Sequence, residues 1–108
     1  MSSLSNKLEK NKYSRIVVKA GTSLLTNGLQ GLDLNFMNRF VDQVSNLHEN
    51  GVEVVLISSG AVGAGRIKLS GSIDIKHLSF RQMLASIGQP HLMYAYEELF
   101  SKKNIIVC

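Results

Sequence analysis

Cysteine occurs once in this sequence, as Cys108. No disulfide framework can be built from it, and a reducing compartment, the cytoplasm, is expected. The three histidines, His48, His77 and His91, have no partner at ligand spacing, which excludes a zinc site. No apolar run approaches the ~20 residues that a membrane helix needs. The opening MSSLSNKLEKNK lacks the apolar stretch of a secretory leader. There is no repeat and no low-complexity segment. Acidic residues are few: 8 against 12 basic ones, for a net charge of +4. The excess is concentrated early, where Lys7, Lys10, Lys12, Arg15 and Lys19 face only Glu9. Tyr13 is the single aromatic residue among these cations, too little to stack on bases, so a nucleic-acid surface is disfavoured and a solvated tail over residues 1–14 is expected. Small anions remain open as ligands.

What is present fits one small domain. The chain has 108 residues, 44% of them apolar, enough for a real core. Ile16-Val17-Val18 is a short β-branched run and reads as a buried strand. The loop GTSLLTNGLQG follows, and Asp33 or Asn35 can cap the next helix. In that helix Phe36, Met37, Phe40, Val41, Val44 and Leu47 recur at helical spacing, and Gly51 is the expected left-handed stop. Glu53 to Ile57 is a second strand without polar alternation, the pattern of a parallel strand covered on both faces. A short helix from about Ala61 toward Leu69 and a long one from Ser79 to Lys102 come next. Pro90 is expected to kink the long one. Ile105-Ile106-Val107 reads as a third strand. The order strand, helix, strand, helices, strand points to an α/β fold, a three-layer αβα arrangement with an open, mainly parallel sheet. A last strand with no helix after it reads as a truncated domain.

In such sheets ligands gather beyond the carboxyl ends of the strands. This sequence places glycines and hydroxyls there twice. The first strand runs into Lys19-Ala20-Gly21-Thr22-Ser23, and the second into Ser58-Ser59-Gly60-Ala61-Val62-Gly63-Ala64-Gly65. The second also opens a helix, whose free N–H groups favour an anion. Gly60, Gly63 and Gly65 give G-x-x-G-x-G, the wrong order for the dinucleotide fingerprint. GAVGAGRI approaches the P-loop, but Arg66 and Ile67 stand where it needs lysine and a hydroxyl. Phosphate chemistry here needs a lysine from elsewhere, and Lys19 is the candidate. Each residue has a plainer use: Lys19 can reach for water, the glycines can serve turns, Ser58 or Ser59 can cap a helix, and Arg66 can be solvated or salt-bridged. The joint occurrence at consecutive strand ends favours an anion site.

IVVKAGTSLLT, VVLISSGAVGAGR and RQMLASIGQPHLM, in this order and spacing, resemble the N-terminal part of the glutamate 5-kinases, a branch of the amino acid kinase family. The likeness runs from about Arg15 to Cys108. The resemblance implies ATP- and Mg2+-dependent phosphorylation of the side-chain carboxylate of L-glutamate, the opening step of proline biosynthesis, by an enzyme that associates as a homo-oligomer. By the same resemblance Lys19 contacts the nucleotide phosphates as the catalytic lysine, Gly21, Thr22 and Ser23 form the nucleotide loop, and Ser59, Gly60 and Ala61 bind glutamate. Ala20 departs from the family's larger apolar residue. Members of the family continue well past this length, into a second lysine, an organising carboxylate and the adenine pocket, so a 108-residue piece is expected to be inactive alone. The kinase half of a fused pyrroline-5-carboxylate synthase shares these motifs. Kinases of aspartate, acetylglutamate, UMP or isopentenyl phosphate are disfavoured by SSGAVGAGR. A non-catalytic interaction module is the rival of another class.

Overall fold

The computed structural model describes residues 13–27, 31–69 and 78–108. Most of the expected tail (1–12), part of the first loop (28–30) and the loop SGSID lie outside the described residues. Strands β1 (Arg15–Ala20) and β2 (Glu53–Ser58) pair in parallel, in a register that runs from Arg15 opposite Glu53 to Ala20 opposite Ser58. Among the described residues four helices accompany them: α1 (Thr22–Leu25), α2 (Leu34–Glu49), α3 (Ala61–Lys68) and α4 (Leu78–Ser101). The architecture is α/β with an open parallel sheet, as the sequence indicates.

Local chemistry sets the boundaries. Asp33 caps α2, its Oδ1 accepting from the Phe36 amide at 3.0 Å, which satisfies one of the free donors of the first turn. At the other end Gly51 adopts φ 87°, a left-handed conformation that glycine enters without strain. The Val52 amide then donates to Leu47 O and the Gly51 amide to His48 O, both at 3.0 Å. These paired bonds turn the chain from α2 into β2. The same closure ends α4, with Asn104 at φ 58° in the glycine position and the Ile105 amide donating to Phe100 O at 3.1 Å. Asn104 gave no such signal in the sequence, although asparagine tolerates this conformation better than most residues. Pro90 sits inside α4, which continues through it to Ser101.

Strand alternation sorts the sheet into two faces. Ala20, Val54 and Leu56 lie on the face that carries the core, packed with Met37, Val41 and Val44 of α2 and Leu92, Ala95, Tyr96 and Phe100 of α4. Burial of each large side chain there contributes about 1.5–3 kcal/mol. Arg15, Val17 and Lys19 lie beside Glu53, Val55 and Ile57 on the other face. Among the described residues that face is open: Val17 is 61% exposed, Val55 43% and Ile57 49%. Of the three layers, the described residues thus form the sheet and one helical layer. Ile105–Val107 joins no ladder. Three residues offer few hydrogen bonds with which to fix a strand, and the segment instead borders a cleft of about 630 Å³ with Val54, Leu56 and Phe100.

Helices α3 and α4 meet at backbone contact. A methyl group added at Gly65 would overlap the Leu84 carbonyl, and one added at Gly88 would overlap the Ala61 carbonyl oxygen and the Gly65 nitrogen. Two glycines facing each other are what allow this approach. No helix among the described residues is long and apolar enough to cross a membrane.

Candidate functional site

The two strand tips meet. The Ser59 amide donates to Ala20 O at 2.9 Å, so the chain leaving β2 is tied to the end of β1. Leu25, fully buried, lies over Gly60, with its Cδ1 3.5 Å from where a Cβ would stand. Thr22 and Thr26 each bring a methyl within 3.4 Å of the corresponding point at Gly63. The first loop is therefore packed directly on the second. Gly60 has φ 108°, a left-handed turn that swings the chain from β2 into α3 and suits glycine.

Within this junction the residues singled out from the sequence fall into two groups. Gly21, Thr22, Ser23, Ser59, Gly60 and Ala61 are all at the strand ends: Gly21 precedes α1, Gly60 is the N-cap of α3, and Ala61 is the first residue of α3. Thr22 and Ser23 are exposed, Ser59 and Ala61 half-buried, and Gly60 buried. No heavy atom lies within 4 Å of the Cβ position at Gly21, so open space borders the main chain there. Lys19 is one residue short of the tip of β1, exposed, on the open face and in register with Ile57. Its ammonium makes no hydrogen bond or ion pair among the described residues.

The model of the amino acid kinase family matches residues 14–107. This chain belongs to the amino acid kinase family. Proteins named glutamate 5-kinase are among its relatives. It is 45% identical to one from Dehalococcoides mccartyi over 97 residues, 90% of this chain and 26% of that protein. It is 44% identical to one from Oleidesulfovibrio alaskensis over 92 residues, 85% and 24%, and 47% identical to one from Caldanaerobacter subterraneus subsp. tengcongensis over 88 residues, 82% and 24%. The chain spans about a quarter of the length of these relatives.

For an amino acid kinase chain, the donor chemistry of the junction is apt. No side-chain cap closes the start of α3, which leaves the first-turn N–H groups to another acceptor. The exposed Thr22 and Ser23 lie at the neighbouring tip, with Lys19 one residue before it. These groups can receive phosphate oxygens. Metal ligation is a different matter. Among the described residues no group of three or more His, Cys, Asp or Glu side chains could hold a metal ion, so they form no metal cage of their own; Mg2+ in phosphoryl transfer is bound largely through substrate phosphates.

Two residues of α4 that sequence reasoning did not connect with the strand tips, Tyr96 and Gly88, help to position them. The Tyr96 hydroxyl and Ser58 Oγ are hydrogen-bonded at 2.8 Å, which ties the tip of β2 to the C-terminal third of α4. Burial pushes the Tyr96 phenol above its ordinary pKa, and the bond to Ser58 opposes that rise. Gly88 sets the distance between α4 and the first turn of α3. A glycine inside an otherwise helical pattern was the available signal for such close approach. Arg66, read as solvated or salt-bridged, makes no ion pair among the described residues; it is half-buried, and its Nε is enclosed with no hydrogen-bond partner there.

Proposed function

We propose that this chain supplies the first part of a glutamate 5-kinase, which transfers the γ-phosphoryl group of ATP to the side-chain carboxylate of L-glutamate. A carboxylate oxygen forms the new bond to the γ-phosphorus, the bond from that phosphorus to the β-bridging oxygen breaks, and ADP leaves with the electron pair. The product is the acyl phosphate that opens proline biosynthesis in the cytoplasm, and the whole enzyme works as a homo-oligomer. The observation that supports this reading most is the packing of the two glycine-hydroxyl tips on one another, with Ser59 bonded to Ala20 O at 2.9 Å, in a chain whose relatives carry that name.

The residues then divide the work by charge. Lys19 neutralises the phosphate oxygens as catalytic residue. Gly21, Thr22 and Ser23 hold the nucleotide phosphates through main-chain and hydroxyl donors. Ser59, with Gly60 and Ala61, binds glutamate. Carboxylate and triphosphate repel at contact, and donors fixed in advance offset that repulsion in the transition state. ATP donates the phosphoryl group, and a Mg2+ ion would supply further neutralisation of its phosphate charge. The 108 residues alone are not expected to turn over.

The test joins this chain to the remaining three quarters of the Dehalococcoides relative and traps acyl phosphate with hydroxylamine. Glutamate-dependent product is expected from the joined polypeptide. Lys19→Ala should lower kcat by about 100-fold or more, in the range of removing one transition-state donor. Ser59→Ala should act mainly on the KM for glutamate. A folded joined polypeptide that consumes no ATP with glutamate, beside an active relative, would refute the reading.

A further inference from the structure

We propose that Tyr96 is a positioning residue for the ligand turn after β2: through Ser58 it fixes the peptide between Ser59 and Gly60, so that the Gly60 N–H is presented to glutamate. The identity of the ligand rests on the kinase reading; the fixing of the peptide does not. Tyr96 belongs to the core, 3% exposed, with its ring stacked on Phe100 at a centroid distance of 6.4 Å. Its hydroxyl lies 2.8 Å from Ser58 Oγ, and Ser58 Oγ donates to Ser59 O at 3.3 Å. A hydroxyl has a single proton to give. Ser58 gives its own to a carbonyl that can only accept, so Tyr96 is the donor of the shorter bond. The relay runs from Tyr96 to Ser58 to Ser59 O, and a hydroxyl that accepts one hydrogen bond donates the next more strongly.

A buried phenol finds a partner in most proteins, and that alone assigns it no role. The role comes from the peptide at the end of the relay. The preceding peptide is held by the Ser59 amide on Ala20 O at 2.9 Å, and the following one by the Ala64 amide on Gly60 O at 2.8 Å. Between them, among the described residues, the Ser59 carbonyl accepts from Ser58 alone and the Gly60 amide donates to no group. Gly60 stands at φ 108°. Turning its peptide over brings that angle to an ordinary negative value, which glycine adopts as readily. The Gly60 backbone therefore does not choose between the two orientations, and Ser58 does. In a trans peptide the C=O and N–H point opposite ways, and the described chain has no cis peptide bond. With Ser59 O held toward Ser58, the Gly60 N–H faces away from the phenol. Turned over, the peptide would offer a carboxylate an oxygen in place of that N–H, and the two oxygens repel.

The test uses the joined polypeptide and the hydroxylamine trap. Tyr96→Phe keeps the ring and deletes the first donor of the relay. The KM for glutamate should rise on the order of five- to tenfold, the scale of one hydrogen bond, while kcat and the KM for ATP stay within about twofold. Only the correctly turned fraction binds, and the complex, once formed, turns over as before. Ser58→Ala should raise the same KM at least as far, and Ser58→Thr, which retains the hydroxyl, should restore it. Asp33→Ala, which lowers stability away from the turn, should leave it unchanged. A folded Tyr96→Phe variant with the wild-type KM, or an equal rise in Asp33→Ala, overturns the proposal and leaves the kinase reading. A second readout needs no turnover. NMR of the 108-residue chain, labelled at serine carbonyl carbons and glycine nitrogens, gives correlated signals from the pairs Ser59–Gly60 and Ser70–Gly71. Ser59→Ala identifies the first by removing it. Tyr96→Phe and Ser58→Ala should each move or double that signal and leave the other in place; an unmoved signal overturns the proposal. A moved signal beside a joined polypeptide that forms no acyl phosphate sinks the kinase reading and leaves the held peptide.

Discussion

Replacing Gly88 by alanine tests the most consequential contact in the molecule. The new methyl would overlap the Ala61 carbonyl oxygen and the Gly65 nitrogen, and would stand 2.9 Å from the Ala61 carbonyl carbon. All three are main-chain atoms, so no rotamer change relieves the clash and the helices must part. Overpacking of this kind costs ~1–3 kcal/mol, and more when backbone must move. Alanine recovers about 0.8–1 kcal/mol of helix propensity. With the steric cost near 3–4 kcal/mol, the net loss is about 2–3 kcal/mol, a fall in Tm on the order of 10–20 °C for a domain of this size. Thermal unfolding followed by circular dichroism reads this directly. Gly63→Ala is the internal control, because its methyl meets only threonine methyls at 3.4 Å. It should be neutral or stabilising by up to ~1 kcal/mol. A Gly88→Ala variant as stable as the wild type would refute the argument that these helices touch through their backbones.

Asp33→Ala removes the cap on the Phe36 amide and should cost about 1 kcal/mol in urea unfolding. Ser45→Ala should stabilise by ~1 kcal/mol, because Ser45 Oγ is buried with no partner and its desolvation is then uncompensated. Raised native pKa values predict the alkaline behaviour. Tyr96, lifted chiefly by burial, Tyr94, lifted by its bond to Glu98, and Lys103, lifted by its bond to Asp42, all hold their protons longer in the native state. Their contribution is complete below the unfolded values near pH 10 and is lost as pH rises through the native ones. Unfolding midpoints should therefore fall above pH 10, and Tyr96→Phe should make that fall shallower; an unchanged slope would contradict the burial argument.

Much of this fold can be read from the pattern of side chains. The period of Met37, Val41 and Val44 locates α2, and Gly51 marks its end, because helical spacing and left-handed stops are local properties. The glycines after β2 were harder. Read together as room for a ligand, they turn out to serve three ends: Gly60 makes a left-handed turn, Gly65 admits α4, and Gly63 lies under the threonines of the first loop. Only the partner surface separates these uses, and it comes from residues 19 to 41 positions away. The bond between Ser58 and Tyr96 escapes sequence for the same reason. Ile105–Val107 has strand composition but no ladder, since β-propensity describes fit to a neighbour more than the segment itself.

Because α3 and α4 interlock through atoms that cannot rotate aside, neither can slide along the other by even one residue. Any residue with a side chain brought to the place of Gly88 would meet the Ala61 carbonyl oxygen and the Gly65 nitrogen. The Tyr96–Ser58 bond extends this fixed register to the sheet, so that α3, α4 and the tip of β2 hold one another in place.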